Sequence, residues 1–202
     1  PSRLGLRQNP ARRGPWSDLD RLLPGQAMKQ LLTAEQVEKA INRLYKAVAA
    51  QLPPESPVAV VGVRTRGETL AARLVERLRK TREVSHGILD ITFYRDDLSR
   101  RRGAPLVRAT EIDFDLDDAY VLLVDDVLQT GRSVRAALDA LHDFGRAKVI
   151  RLAVLIDRGG RELPIAADFV GHRLLVESGE RIQVKLKEND GEEGVFLIPA
   201  KG

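Results

Sequence analysis

The chain has no cysteine, one methionine, one tryptophan and three histidines in 202 residues. Disulfides, thiolate nucleophiles and cysteine-based zinc sites are therefore excluded. His86, His142 and His172 show no HxxxH or HExxH spacing, which argues against a histidine-built metal site. No apolar run approaches the roughly 18 residues that a membrane span needs. The basic N-terminus lacks the apolar core of a signal peptide, so the expected compartment is the cytoplasm. Three nucleotide or acyl-transfer signatures are also absent: GxxxxGK[ST], GxGxxG and GxSxG.

What is present is a soluble, globular composition, 43% hydrophobic and 31% charged, long enough for one domain with a real core. The net charge of +4 is local. Residues 1–30 carry Arg3, Arg7, Arg12, Arg13, Arg21 and Lys29 against Asp18 and Asp20, and the remainder is neutral. With its arginine, proline and glycine, this stretch reads as a disordered basic extension. A basic tail can touch nucleic acid, but the commoner role is a solvated terminus. The domain reading is thus 1–30 extension and 31–202 folded domain, with Met28 a candidate natural start.

Periodicity supplies the elements. Thr33-Ala-Glu-Gln36 has the form of a capping box, and Val37, Ile41, Leu44, Val48 and Leu52 follow at helical spacing up to Pro53-Pro54. Val58–Val63 reads as a buried strand, and Arg64–Gly67 as a turn into a helix marked by Leu70, Leu74 and Leu78. A strand is expected over Gly87–Tyr94, and a long charged loop over residues 95–110. A helix to about Gly145 should place Ala136, Leu138 and Leu141 inward. Val149–Ile156 reads as a buried strand, with edge strands at Val170 and residues 182–187 and a last strand at Val195–Ile198. Strands alternating with helices predict an α/β fold on a parallel sheet.

The richest segment is Val121-Leu-Leu-Val-Asp-Asp-Val-Leu-Gln-Thr-Gly-Arg-Ser-Val134. Four apolar residues read as a strand, Asp125 and Asp126 as its C-terminal end, and Thr130 to Ser133 as a turn into a helix. Open α/β sheets bind ligands at the carboxyl ends of their strands. A loop of backbone N–H groups entering a helix suits a phosphate. Paired carboxylates suit the hydroxyls of a ribose. Residues 64–67 and 157–161 follow other buried strands, and add Thr65, Arg66, Gly67 and Arg158 at the same sheet edge. Arg95, Arg100, Arg101 and Arg102 in the long loop have the fork geometry to close over a polyphosphate. The residues point to a sugar phosphate that bears a second phosphate group.

Four segments occur in an order that resembles a known family. They are Val61-Gly-Val-Arg-Thr-Arg-Gly67, Leu89-Asp-Ile-Thr-Phe-Tyr-Arg-Asp-Asp-Leu-Ser99, Val121 to Leu138 and Leu152-Ala-Val-Leu-Ile-Asp-Arg-Gly-Gly-Arg-Glu-Leu-Pro164. Over roughly residues 31–190 the chain resembles the bifunctional pyrimidine-operon attenuators and uracil phosphoribosyltransferases of the PyrR type, within the type I phosphoribosyltransferases. The resemblance implies a central, mostly parallel sheet flanked by helices, with a small hood and a flexible loop. It implies the reaction of uracil with phosphoribosyl pyrophosphate (PRPP) to give UMP and pyrophosphate, with Mg²⁺ bound through PRPP rather than in a protein cage. It further implies UMP-dependent binding of pyrimidine-operon leader mRNA, and a homodimer or larger oligomer.

By the same resemblance Asp125 and Asp126 hold the ribose hydroxyls, and Val127, Leu128, Gln129, Thr130, Gly131, Arg132 and Ser133 cradle the 5-phosphate. Thr65, Arg66 and Gly67 meet the pyrophosphate, Arg95 closes over the site, and Arg158 and Ile182 lie at the base. Arg43, Lys46 and Arg161 fall on the RNA-facing surface. The chain departs from the family pattern at Gln129, Gly160, Ala166, Asn42 and Lys46, and all but the first of these bear on RNA. Two other readings stay open: an RNA-binding regulator that uses the site only as a nucleotide sensor, and a type I transferase for another base.

Overall fold

Thr33 starts the first helix with both halves of its capping box in place. Its hydroxyl accepts from the Gln36 N–H at 3.4 Å, and the Gln36 side chain accepts from the Thr33 N–H at 2.8 Å. In the computed structural model, which describes residues 28–96, 109–177 and 179–198, this helix α1 spans Ala34–Ala49. It buries Val37, Ala40, Ile41, Leu44 and Val48 along one stripe. It ends ahead of Leu52, which lies in the turn before Pro53.

Five strands form a parallel sheet: β2 (Val58–Val63), β3 (Ser85–Leu89), β4 (Tyr120–Leu128), β5 (Val149–Asp157) and β6 (Phe169–Arg173), in the order β3-β2-β4-β5-β6. Val60, Leu122, Val124 and Leu155 point to the face covered by α1 and α2 (Arg66–Leu78). Val61, Val121, Leu123 and Val154 point to the face covered by α3 (Arg132–Leu141). Both faces are buried, which is why these strands read as continuous apolar runs rather than alternating ones. A second, antiparallel sheet of β1 (Lys29–Leu32), β8 (Gly194–Ile198) and β7 (Arg181–Lys185) forms a hood, ordered β1-β8-β7. A one-turn helix, α4 (Lys187–Asp190), joins β7 to β8.

The chain runs from β2 outward to β3, then returns to place β4 on the other side of β2. The reversal puts the topological switch point, and its crevice, at the carboxyl ends of β2 and β4. Helix α2 packs there at contact distance. A Cβ on Gly62 would lie 2.6 Å from the Glu68 Cα and the Gly67 carbonyl oxygen, and one on Gly67 would lie 2.5 Å from the Val124 carbonyl oxygen.

Several elements differ from the sequence reading. The strand expected over Gly87–Tyr94 stops at Leu89, because Asp90 accepts the Thr92 N–H at 2.7 Å and turns the chain into a 3-10 turn, Thr92–Tyr94. Strand β4 continues through Asp125 and Asp126 to Leu128, so the acids lie within the strand. Leu138 is 37% exposed, because α3 buries Val134, Ala137, Ala140 and Leu141 and Leu138 falls outside that stripe. Helix α3 ends at Leu141, with a separate 3-10 turn over His142–Phe144. Strand β1 begins at Lys29, inside the stretch assigned to the extension, because Lys29 and Gln30 pair with Leu197 and Phe196 of β8. Arg100, Arg101 and Arg102 lie outside the described residues. Among the described residues no helix is long and apolar enough to cross a membrane.

Replacement Gly62→Ala should overpack the α2 contact and lower unfolding stability by about 2 kcal/mol, within the range for added core volume. Urea denaturation of the two proteins measures it.

Candidate active site

A cavity of about 440 Å³ opens at the switch point, between the carboxyl ends of the sheet and the hood. Its floor is the β4–α3 connection, Val127 to Ser133. Three carbonyls of this connection are braced from outside the cavity. Arg161 donates to Gln129 O at 2.9 Å and Leu128 O at 3.4 Å, and the N–H groups of Glu162 and Leu163 both reach Thr130 O at 3.0 Å. Trans peptides point their N–H groups opposite to their carbonyls, so the N–H groups of residues 129–131 turn away from that brace. Gly131 takes φ +91°, a left-handed turn that glycine adopts without strain, and α3 then starts with no side-chain cap. The Arg132 N–H donates to the Thr130 hydroxyl at 3.3 Å, and the N–H groups that follow it in the first turn face a helix end whose dipole favours negative charge.

The pleat separates the two acids, since successive side chains of a strand point to opposite faces. Asp126 lies on the α2 side, lines the cavity and feels the positive charge of Arg66. Asp125 is buried on the other side and feels Arg95. Each carboxylate accepts the next backbone N–H at 2.9 Å, Asp125 from Asp126 and Asp126 from Val127. Burial pushes both carboxyls above the usual range. For Asp125 the shift is large and is reinforced by the Asp126 charge, while for Asp126 the Arg66 guanidinium works against it.

Arginines line the walls. Arg66 projects from the first turn of α2 and is held by Asp190, at 2.6 and 3.1 Å. Arg158 is 6% exposed and donates to Glu180 O at 2.7 Å, while its buried Nε finds no partner among the described residues. Burial lowers its pKa from the ordinary arginine value. Arg95 also lines the cavity, as does Arg132, which pairs with Glu162 at 2.7 Å and Asp96 at 2.6 Å.

Of the residues singled out in the sequence, the cavity gathers Arg66, Arg95, Asp126, Val127 to Ser133, Arg158 and Ile182. It is not lined by Thr65, Gly67 or Asp125. Thr65 stands at the N-cap position of α2, after a cis Arg64–Thr65 peptide, and Gly67 packs under Val124. Among the surface cations, Lys46 is exposed, and Arg43 donates to Gly171 O at 2.9 Å. Arg161 makes four hydrogen bonds within the chain, two to the floor, one to Ile165 O and one to Asp157, so its guanidinium braces the loop. Sequence reasoning missed the hood wall of Arg181, Gln183, Val184 and Ile198, and missed Asp190. No local motif marks them, because they reach the site only through the pairing of β7 with β8.

A family model described as the phosphoribosyl transferase domain matches residues 27–187. The bifunctional protein PyrR of Roseiflexus sp. is 51% identical over 173 residues, 84% of this chain and 94% of that one. That of Deinococcus radiodurans is 48% identical over 170 residues, 83% and 93% of the two chains. Among solved structures, a hypoxanthine phosphoribosyltransferase from Staphylococcus aureus is similar with a TM-score of 0.62 at 18% identity, covering 86% of this chain and 92% of that one. One from Trypanosoma cruzi, in complex with its product IMP, has a TM-score of 0.61 at 18% identity, with 85% and 90% covered. At that identity the likeness is one of fold.

The acid pair gives a signed prediction. A carboxyl whose folded pKa is raised binds its proton more tightly in the folded state, so stability falls as pH climbs from the usual carboxylate range through the raised value. Asp125→Asn removes that loss and keeps an oxygen for the Asp126 N–H. The variant should have the higher urea midpoint at pH 8, and the two proteins should converge near pH 4.

Proposed function

Because the chain belongs to the phosphoribosyl transferase domain family, with the bifunctional PyrR proteins as its relatives, we propose that it transfers the phosphoribosyl group of PRPP to uracil, giving UMP and pyrophosphate. The observation that carries the reading is the convergence on one cavity of an anion-binding loop, a carboxylate, a guanidinium on the opposite wall and an apolar hood residue. Each matches one part of the substrate. The floor from Val127 to Ser133 takes the 5-phosphate. Asp126 takes ribose hydroxyls, and Asp125 supports it from behind. Arg66, placed by Thr65 and Gly67, takes the pyrophosphate, and Arg95 closes over it. Arg158 and Ile182 face the base.

In the reaction the C1–oxygen bond to pyrophosphate breaks as the bond from C1 to the uracil ring nitrogen forms, and the nitrogen releases its proton. Positive charge grows on the sugar and negative charge on the leaving group. The site answers the first with carboxylates and the second with fixed cations and N–H dipoles, placed before the reaction begins. No protein nucleophile is required, which suits a chain without cysteine. Mg²⁺ fits the donor set: two adjacent desolvated carboxyls, both held above their usual pKa, are relieved by a cation. Asp126 would hold the ion, through its water shell. When bound with PRPP it supplies charge neutralisation for the departing pyrophosphate.

The second activity is regulation, with UMP in the same cavity promoting binding of pyrimidine-operon leader RNA in the cytoplasm, by a homodimer or larger assembly. Lys46, exposed on α1, is the cation placed to meet a phosphate.

Incubation with PRPP, Mg²⁺ and a panel of uracil, hypoxanthine, guanine and orotate should yield UMP alone. Asp126→Asn should lower kcat roughly 100-fold with the fold intact, the size expected when a positioned reactant is lost. Nucleotide from another base, or unchanged kinetics in the variant, defeats the assignment. For the RNA, UMP should tighten leader binding in a filter assay, and Lys46→Ala should reduce the slope of log K against log salt by about 0.7 to 0.9.

A further inference from the structure

Arg66 is held in place by the hood. Its Nε and one Nη2 hydrogen reach the two oxygens of Asp190, at 3.1 and 2.6 Å. Both side chains are largely buried, at 22% and 15% exposure. Asp190 is itself fixed, since the oxygen that takes the Arg66 Nε also accepts the Leu186 N–H at 2.9 Å and closes the α4 turn, which Gly191 ends at φ +74°. One and two turns further along the same face of α2, Thr69 meets Asn189 at 2.7 Å, and Arg73 pairs with Glu188 and Glu193 at 2.7 and 2.8 Å. The fork is the cavity end of a polar seam between α2 and the hood. Asp190 does not line the cavity.

A guanidinium carries five N–H groups in one plane. The fork to Asp190 takes two of them from one edge, and three remain for an anion. Asp126 lines the same cavity as Arg66, and its charge attracts the guanidinium. A guanidinium without Asp190 would be drawn towards Asp126, neutralising the carboxylate meant for the sugar and leaving the leaving group without its cation.

We propose that Asp190 is a positioning residue for the pyrophosphate end of the substrate: it aims the Arg66 fork into the cavity and keeps it from pairing with Asp126. The proposal rests on the assignment of Arg66 to pyrophosphate made above. It makes leaving-group binding depend on the seating of the hood, because Asp190 ends α4, the one-turn helix that follows β7, the strand that supplies the base wall. A carboxylate acting instead as a competitor for the Arg66 fork would have to face the cavity.

The test is calorimetric titration of the full chain with PRPP plus Mg²⁺ and, separately, with UMP, which shares the 5-phosphate and ribose but has no pyrophosphate. In Asp190→Asn an oxygen remains for the Leu186 N–H while the charge is lost. PRPP affinity should fall about 10-fold or more, the effect of a misplaced charge-assisted contact, with a smaller loss for UMP, which has no pyrophosphate contact to lose. In turnover, KM for PRPP should rise more than kcat falls. Asn189→Ala, which cuts the seam beside the fork, should leave both affinities as they are. Equal losses for PRPP and UMP would make Asp190 merely structural, and tighter PRPP binding would make it a competitor. Either result, or no change, overturns the proposal. A wild-type protein that binds UMP but not PRPP overturns the Arg66 assignment and this inference with it. Should Asp190→Asn not fold, Asp190→Glu, which keeps the charge but shifts it by one methylene, must still weaken PRPP more than UMP.

Discussion

The cavity depends on how closely the first turn of α2 approaches the sheet. Gly62 and Gly67 let that turn lie against β2 and β4 with backbone touching backbone, at distances no Cβ would tolerate. The approach fixes where Arg66 leaves the helix, and so brings a cation from one strand's loop to face Asp126 on the next. It also sets the seam to the hood, since Thr69 and Arg73 lie on the same helix face. A helix one methyl group further out would separate the two walls of the site. Gly62 of β2 and Gly67 of α2 thus matter for the site through packing, although neither lines the cavity.

Against this rigid frame the site concentrates charge where water is scarce. Two adjacent carboxyls and a buried arginine whose Nε has no partner among the described residues are expensive features for a core to keep. The surrounding structure makes them tolerable. Backbone N–H groups satisfy one oxygen of each acid, and Glu180 satisfies one end of Arg158. The cost has a direction: positive charge beside Asp126 and anions beside the arginines would lower it. Local instability at a cleft of this kind is what preorganised electrostatics requires.

The parallel sheet was legible in the sequence because strands buried on both faces leave unbroken apolar runs, as in Val58–Val63 and Val121–Val124. The floor of the site was legible for a related reason. It is built from consecutive residues, Val127 to Ser133, whose order along the chain is also their order in space. Where the reading failed, the deciding interaction lay elsewhere in the chain or in one short side chain. Asp90 ended a strand that its apolar neighbours would have continued. Arg161 looks like a surface cation until the carbonyls of Leu128 and Gln129 are seen to fold back to it. Asp190 sits in a polar turn like many others, 124 residues from the arginine it holds.

The hood carries a different kind of information from the sheet. It is assembled from β1 near the start of the described chain and from β7 and β8 near its end, so its residues answer to no local motif. The sheet is shared in fold with hypoxanthine phosphoribosyltransferases at 18% identity. Under the proposed function the base is met where the cavity reaches the hood, at Arg158 and at Arg181 to Val184. A site that takes its phosphate chemistry from the sheet and its base wall from the chain ends needs a physical link between the two. The seam from α2 to the α4 turn is that link, and its cavity end is the Arg66–Asp190 fork.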